Sequence, residues 1–480
     1  MLELIKLYVT FFKLGIVNFG GGYAMLPLLE RELADKRGWT TAEELADYYA
    51  VGQCTPGAIA VNVSTMIGYK RKGVLGGIAA TLGFISPAFV IIFIIATLLT
   101  NFADNKYVAH ALAGIRVVVF FLVLSAIIKL FKNSCKDKIS KLIAILVGVL
   151  AIVVPTKYVG LYMYVIVAGV FGVVFNLIKE KKRLKKENEN PSDEKLLNEK
   201  MLETVKEKTE LINALAPKNL EQESEEAIEP KPKRKLGRGA IGIIIACAML
   251  ASIMVVSALV YVFKDSAIFF KLYFQFFKIG ALAFGGGLAT IPFLSELSEL
   301  TGWFSAEDLA NMIAVSESTP GAMGINMSTY VGYTVIHNEF GNYFLSFVGS
   351  MISTLGLVTP SIIVIEIIAL FLNKFKNNKY VDWAFYGLRA ASIGLMIAAA
   401  YSICEVSLMQ NSEVVEVFKS AFDGISIKTF FPSLGDAINN ILNWKNIAVG
   451  VVFGITIFKY KKHPILYIAI GAVVGILLWL

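Results

Sequence analysis

Charged, metal-binding and redox-active side chains are scarce in this chain. Only 17% of its 480 residues are Asp, Glu, Lys or Arg, against 56% hydrophobic. A mean hydropathy of +0.65 lies above what a soluble globular domain of this length shows. Its three histidines (His110, His337, His463) and four cysteines (Cys54, Cys135, Cys247, Cys404) stand far apart, without paired spacing. Such scatter indicates neither a disulfide framework nor a metal site. No His/Asp/Glu cluster or nucleophile motif offers a catalytic constellation, so neither an enzyme nor a cofactor is expected. The period-two alternation of a membrane barrel is missing too. The N-terminus has Glu3 and Lys6 before its apolar run and no small-residue cleavage pattern, which predicts retained structure and not a signal peptide.

What the chain does have is long apolar runs. Gly76 to Thr100, Val108 to Phe131, Tyr158 to Ile178, Gly239 to Phe263 and Trp383 to Cys404 are each long enough to cross a hydrocarbon layer of about 30 Å as a helix. The expected fold class is therefore an all-α integral membrane protein. The net charge of +8 comes from basic residues in short loops and one polar linker, as cytoplasmic loops would carry them, so no nucleic-acid partner is expected.

Some of these runs are broken, and broken twice over. Phe19-Gly20-Gly21-Gly22 puts three glycines in a row inside an apolar segment, and Phe284-Gly285-Gly286-Gly287 does so again 265 positions later. Thr55-Pro56-Gly57-Ala58 makes a second break, with Pro56 suited to the first turn of a new helix; it returns as Thr319-Pro320-Gly321-Ala322, 264 positions on. At that same offset Gly38-Trp39, Asn62, Ser64-Thr65 and Gly68-Tyr69 recur as Gly302-Trp303, Asn326, Ser328-Thr329 and Gly332-Tyr333. Further along, at an offset of 273, Pro87 and Arg116 match Pro360 and Arg389. Agreement on this scale is internal duplication.

The expected organisation is a first repeat of six broken or full helical segments (1–178), a polar cytoplasmic linker (179–238), a connecting span (239–263) and a second repeat (264–480). Lys70-Arg71-Lys72 and the cluster Lys129, Lys132, Lys136, Lys138, Lys141 belong inside by their charge. In the second repeat the signs swap: Lys374, Lys376 and Lys379 occupy the loop that matches Asn101 to Lys106, the loop expected outside in the first, while Glu405, Glu413, Glu416 and Asp423 follow the next span. The second repeat should therefore sit upside down, with broken half-helices meeting at the bilayer midplane, the N-terminus inside and the C-terminus outside. Crossings would number thirteen if every broken segment spans, and fewer, with unchanged parity, if some re-enter.

Irregular backbone at membrane depth is tolerated only where protein buries it or it lines a wet cavity. Helices starting after Gly22 and Gly287, and at Pro56-Gly57 and Pro320-Gly321, would aim free N–H groups and positive dipole ends at a shared centre, which suits an anion. The alternative is that the glycines merely permit tight helix crossing. Candidate substrate ligands are Gly20, Gly21, Gly22, Thr55, Pro56, Gly57, Asn62, Ser64 and Arg116, with Gly285, Gly286, Gly287, Thr319, Pro320, Gly321, Asn326, Ser328 and Arg389. Each arginine could grip an oxyanion with two parallel donors, or serve structurally by pairing with a glutamate or with helix-end carbonyls. Hydroxyls such as Ser64 and Ser328 often bond only their own helix. One position breaks the symmetry: Gln53 of the first repeat is Glu317 in the second, which makes Glu317 the candidate for proton coupling. Glu32 and Glu296 are expected near an interface, and Glu366, without a counterpart, facing the bundle interior.

With F-G-G-G, G-W, T-P-G-A and the G-x-R of Gly114-Ile-Arg116 and Gly387-Leu-Arg389 in this order, the chain resembles the chromate ion transporter family in its long, two-domain form. The resemblance covers nearly everything but the linker. It implies a multi-pass carrier of the bacterial cytoplasmic membrane that exports chromate, with sulfate as the related oxyanion, and oppositely oriented halves. The sequence departs from the frequent Pro-Gly-Pro of the family in having Ala58 and Ala322, and its charged linker is unusually long. The implied partners are a small oxyanion, the bilayer and protons; a carrier of another small anion, or an anion channel, would use the same wet centre. Substrate, transport direction and oligomeric state stay open at this level.

Overall fold

The computed structural model describes residues 1–18, 22–102, 105–189, 267–372, 378–409, 442–460 and 462–480. Gly20 and Gly21, most of the linker and the connecting span at 239–263 lie outside the described residues, as do Lys374, Lys376, Glu413, Glu416 and Asp423. Among the described residues the chain is helical, with only two isolated β-bridges. The first half holds α1 (Leu2–Ile16), α2 (Gly22–Leu29), α3 (Ala42–Cys54), α4 (Ile59–Asn101), α5 (Lys106–Ser134), α6 (Lys138–Val153) and α7 (Leu161–Glu189). The second holds α8 (Ala267–Leu282), α9 (Thr290–Thr301), α10 (Ala306–Ser318), α11 (Met323–Phe340), α12 (Tyr343–Leu370), α13 (Lys379–Leu408), α14 (Trp444–Tyr460) and α15 (Pro464–Leu478).

Five of these are long and apolar enough to cross a membrane: α4, α5, α12, α13 and the Leu161–Arg183 part of α7. Their surroundings fit that role, because large apolar side chains such as Val90 and Ile94 of α4 and Val167 of α7 point outward, 50%, 51% and 59% exposed, where lipid would cover them. This is an all-α membrane protein.

Local chemistry sets the helix ends. Thr41 accepts from the Glu44 amide while Glu44 reaches back, a capping box that opens α3; Ser305 and Asp308 repeat it for α10. Gly38 and Gly302 take the left-handed φ (+59° and +63°) that turns the chain after the preceding helix in each half. Pro56 corrects the expectation for it, since it stands outside the helix it was expected to begin. Gly57 has φ +92° and Gly321 φ +122°, so the helical path cannot resume until Ala58 and Ala322, the N-caps of α4 and α11. The stretch labelled α4 is two helices joined at its basic turn: the backbone is non-helical at Lys72 and Gly73 (φ +62°), a Cβ at Gly68 would lie 2.2 Å from Gly76 O across the turn, and Pro87 does not end the second helix.

Both broken segments of the first half fold back as hairpins. Arg71 bonds Glu3 at the start of α1 (2.8 Å) and lies over the Trp39 ring just after the first segment (5.1 Å), so that segment begins and ends at one level. Lys70 pairs with Glu44, which brings the start of α3 to the same end as the basic turn of α4. In the second half Phe269 of α8 stacks on Phe340 at the end of α11, 6.0 Å between centroids, and closes the corresponding pair of hairpins.

The remaining helices are exchanged between halves. The last two helices, α14 and α15, pack on α5, while α6 and α7 pack on α13. Glycines make both crossings close. A Cβ at Gly114 would lie 2.2 Å from the Gly471 carbonyl oxygen, and one at Gly387 would lie 1.7 Å from that of Ala168. The first residue of each G-x-R motif thus sets a helix crossing, two residues ahead of its arginine and so on nearly the opposite face of the helix.

Candidate functional site

The Pro-Gly joint of each half bonds, reciprocally, the residue that precedes the glycine break of the other half. The Gly57 amide donates to Ala283 O (2.9 Å), and the Gly321 amide donates to Asn18 O (2.8 Å). Asn18 and Ala283 each immediately precede a Phe-Gly-Gly-Gly motif, so each Pro-Gly joint is tied to the glycine break of the other half. An isolated bridge between Pro56 and Phe284 extends one of these contacts. Two expected free donors, the amides of Gly57 and Gly321, are therefore spent on holding the tips together.

Each joint is clamped from within by its asparagine. Asn62, fully buried, donates to Thr55 Oγ1 and to Pro56 O, both at 2.9 Å. Asn326 donates to Thr319 Oγ1 (3.0 Å) and Pro320 O (3.3 Å). In both cases the side-chain oxygen is buried without a hydrogen-bond partner. Ser64 donates to Ala60 O and Ser328 to Ile325 O, so both hydroxyls turn to their own helices. A repeated threonine pair, Thr65 with Thr81 (2.6 Å) and Thr329 with Thr354 (2.8 Å), ties the helix after each joint to the next span. Sequence reading missed the roles of Thr81 and Thr354; their identical place ahead of Pro87 and Pro360 was the available signal.

Where the joints meet there is almost no free space. The void lined by Gly57, Ala283, Gly287, Gly324 and Ser361 measures about 10 Å³, about enough for one water. Ser361 donates to Pro56 O (3.1 Å), and a Cβ at Gly57 would sit 1.8 Å from its Oγ.

Open space lies to one side. A cavity of about 450 Å³ is lined by Gln53, Ile59, Gly285, Tyr386 and Arg389 and runs out to Asn133, Lys136 and Asp137 at the α5–α6 turn. Ile59 opens α4, whose N-cap Ala58 supplies no side-chain bond to the first-turn amides. An uncapped helix start, a guanidinium and a left-handed glycine thus share one wet space. Arg389 Nη2 contacts Cys54 Sγ at the end of α3, while Tyr386 donates to Asp137 (2.6 Å).

The duplicated arginines do not share one role. Arg116 is paired with Glu307 at the start of α10 and reaches Asn311 Oδ1 at 3.5 Å, and it does not line the cavity that holds Arg389. Its side chain is 14% exposed and that of Glu307 61%. Gln53 lines the cavity, whereas Glu317 stands in the last turn of α10, next to the second joint. Glu32 pairs with Lys36 (2.5 Å), and Glu296 accepts from the Leu161 amide (3.0 Å) at the start of α7, so both glutamates have structural partners. Of the glycines, Gly22 begins α2, and Gly285 and Gly286 have φ of +104° and +99° ahead of a 3₁₀ turn at Gly287–Ala289. No group of metal-ligating side chains occurs among the described residues.

Duplicated Pro-Gly joints, each locked to a triple-glycine break of the opposite half, coincide with the stretches that a family model recognises. The model is that of the chromate transporter, and it matches residues 5–173 and 270–476. The chain belongs to the chromate transporter family. Among its relatives is the chromate transport protein of Pseudomonas aeruginosa, 24% identical over 408 residues that make up 84% of this chain and 81% of that one. The probable chromate transport protein of Synechococcus elongatus is 21% identical over 83% of this chain and 84% of its own length. The chromate transport protein of Cupriavidus metallidurans is 20% identical over 84% and 83%. No solved structure matches the chain. Family and fold together make this chromate transporter homologue a multi-pass membrane protein of a transport family.

Proposed function

We propose that the chain is a secondary carrier of chromate or a related tetrahedral oxyanion such as sulfate, working by alternating access between two inverted halves. The observation that carries this reading is the asymmetry of the centre. On one side a polar cavity leads from the basic α5–α6 turn to Arg389 and the open N-terminus of α4. On the other, the Arg116–Glu307 pair bridges the two halves. Between them the joints leave about 10 Å³. The void of about 10 Å³ between the joints favours the carrier, because a channel needs continuity through the centre.

Inversion is supported by which ends meet. Lys379, at the α12–α13 loop, bonds Glu180 at the end of α7 (2.9 Å), next to the linker. Asn101, at the equivalent loop of the first half, accepts from Tyr343 (2.8 Å), at the turn that matches the basic turn of α4. Equivalent loops thus lie beside non-equivalent partners, as an upside-down second half requires. With Lys129 to Lys141 inside, the cavity faces the cytoplasm, which is the loading side for an exporter.

Coupling to protons is assigned to Glu317, the ionisable counterpart of Gln53. A carrier that takes up proton and dianion together is driven inward by an inward proton gradient; export requires the proton to bind in exchange for the anion. Transport by Glu317→Gln under gradients of either sign separates these cases from no coupling, in which its response would match the wild type.

The substrate role of Arg389 is tested in proteoliposomes with chromate, sulfate and small carboxylates as counterflow substrates. Loss of a charge-assisted contact is worth about 1.5 to 3 kcal/mol, so Arg389→Ala should weaken oxyanion affinity by about 10- to 150-fold while the protein still inserts. Lysine should rescue poorly because it lacks the paired donors. Unchanged affinity in the alanine variant removes Arg389 from the site.

A further inference from the structure

Glu366 is a buried acid that the transport reading does not use. It lies on α12 inside the apolar stretch Ile362 to Ile368 and is 6% exposed. Its Oε1 has no hydrogen-bond partner, and no ion pair joins it among the described residues. The carboxyl is pressed against α4 of the other half: a Cβ built at Gly77 would lie 2.6 Å from Oε1 and 3.3 Å from Thr65 Cγ2. Glycine at 77 is what gives the acid room.

The same crossing exists a second time without an acid. Matching Pro87 to Pro360 sets Phe93 against Glu366 and Gly77 against Ser350, while the earlier offset of 264 sets Tyr69 against Tyr333. Phe93 sits edge-on to Tyr333, 5.6 Å between centroids, whereas Glu366 lies within electrostatic range of Tyr69. A phenyl ring is enough to pack this crossing, so packing alone does not call for a carboxyl group.

The titratable neighbours do not neutralise it. On α4 that side is faced by Tyr69. Of the helices packed on α12, α11 offers Tyr330, Tyr333 and His337, and α8 offers Lys271, Tyr273 and Lys278. His337 stacks on Tyr333 (5.2 Å), Lys278 sits over the Tyr162 ring (4.5 Å), and Lys271 is exposed. A charged carboxylate at membrane depth without a counter-ion is costly, while the neutral acid is tolerated. We propose that Glu366 is a proton-binding site at the crossing of the two halves, which holds its proton while α4 and α12 are packed as here and releases it when their sliding lets water reach the carboxyl. Resting on the carrier reading, this adds a second proton site to Glu317 and places it at the moving interface.

Infrared difference spectroscopy of the full-length protein in liposomes tests it, because a protonated carboxyl has its own C=O stretch. Wild type should show a protonated-acid band at neutral pH that Glu366→Gln removes and Glu317→Gln leaves. No band lost in Glu366→Gln overturns the proposal, whether or not the protein transports anything. In counterflow with chromate or sulfate, Glu366→Gln should exchange at near wild-type rate, since glutamine copies the neutral acid, but respond at least several-fold less to an imposed pH gradient. A retained gradient response overturns the release step. Wild-type protein that moves none of the oxyanions instead refutes the carrier reading, and the band then judges Glu366 alone.

Discussion

Asn62 and Asn326 show how few atoms hold a joint. Each lends its amide to a threonine hydroxyl and a proline carbonyl at the joint. Removing Asn62 takes one donor from Thr55 Oγ1 and leaves Pro56 O with Ser361 alone, at about 1 kcal/mol for each bond lost. Asn62→Ala should therefore lower the melting temperature of the detergent-solubilised protein, and Asn62→Asp should be worse than Asn62→Ala. Aspartate keeps the shape but presents acceptors where the joint needs a donor. Ser64→Ala is the control, because that hydroxyl bonds only its own helix, to Ala60 O. A melting temperature for Asn62→Ala equal to that of Ser64→Ala would remove the clamp. The type and spacing of these residues were legible in the sequence; the division into clamp and bystander was not, because it depends on which way each side chain turns inside a helix that buries both.

At the scale of elements, the breaks were readable because the glycine triplet and the Pro-Gly pair recur together in both halves. Their re-entry was not. It rests on Arg71 meeting both Glu3 and Trp39, contacts between residues far apart in sequence. The G-x-R motif was equally visible, but its glycine proved as informative as its arginine. Gly387→Ala would place a Cβ 1.7 Å from the Ala168 carbonyl and force α13 away from α7. Gly302, by contrast, has nothing within 4 Å of an added Cβ, and only its φ of +63° resists alanine, at about 1 to 2 kcal/mol. Gly387→Ala should thus sharply reduce the yield of monodisperse protein in size-exclusion chromatography, while Gly302→Ala gives protein of normal yield and slightly lower melting temperature. Equal yields would mean that the α7–α13 crossing yields easily to a methyl group.

For the whole molecule, exchange of helices between halves means that neither half completes its own packing, and that the halves meet over several helix crossings as well as at single side-chain pairs. Under the proposed alternating access, Arg116–Glu307 is a contact that opening on its side would break. The pair is part-exposed, so screening limits it to about 1 kcal/mol or less, a size suited to a closure that must reopen in every cycle. Each single charge reversal, Arg116→Glu or Glu307→Arg, sets like charges together and should favour opening on that side, raising labelling of an engineered cysteine at Asn311 by a membrane-impermeant thiol reagent. Combining the two restores opposite charges, so the double variant should return labelling and counterflow towards wild type. Additive effects in that double-mutant cycle would mean that the two residues act independently. Arg116 would then be a ligand or a structural cation like any other, and the closed side would have to be held by the hairpin tips alone.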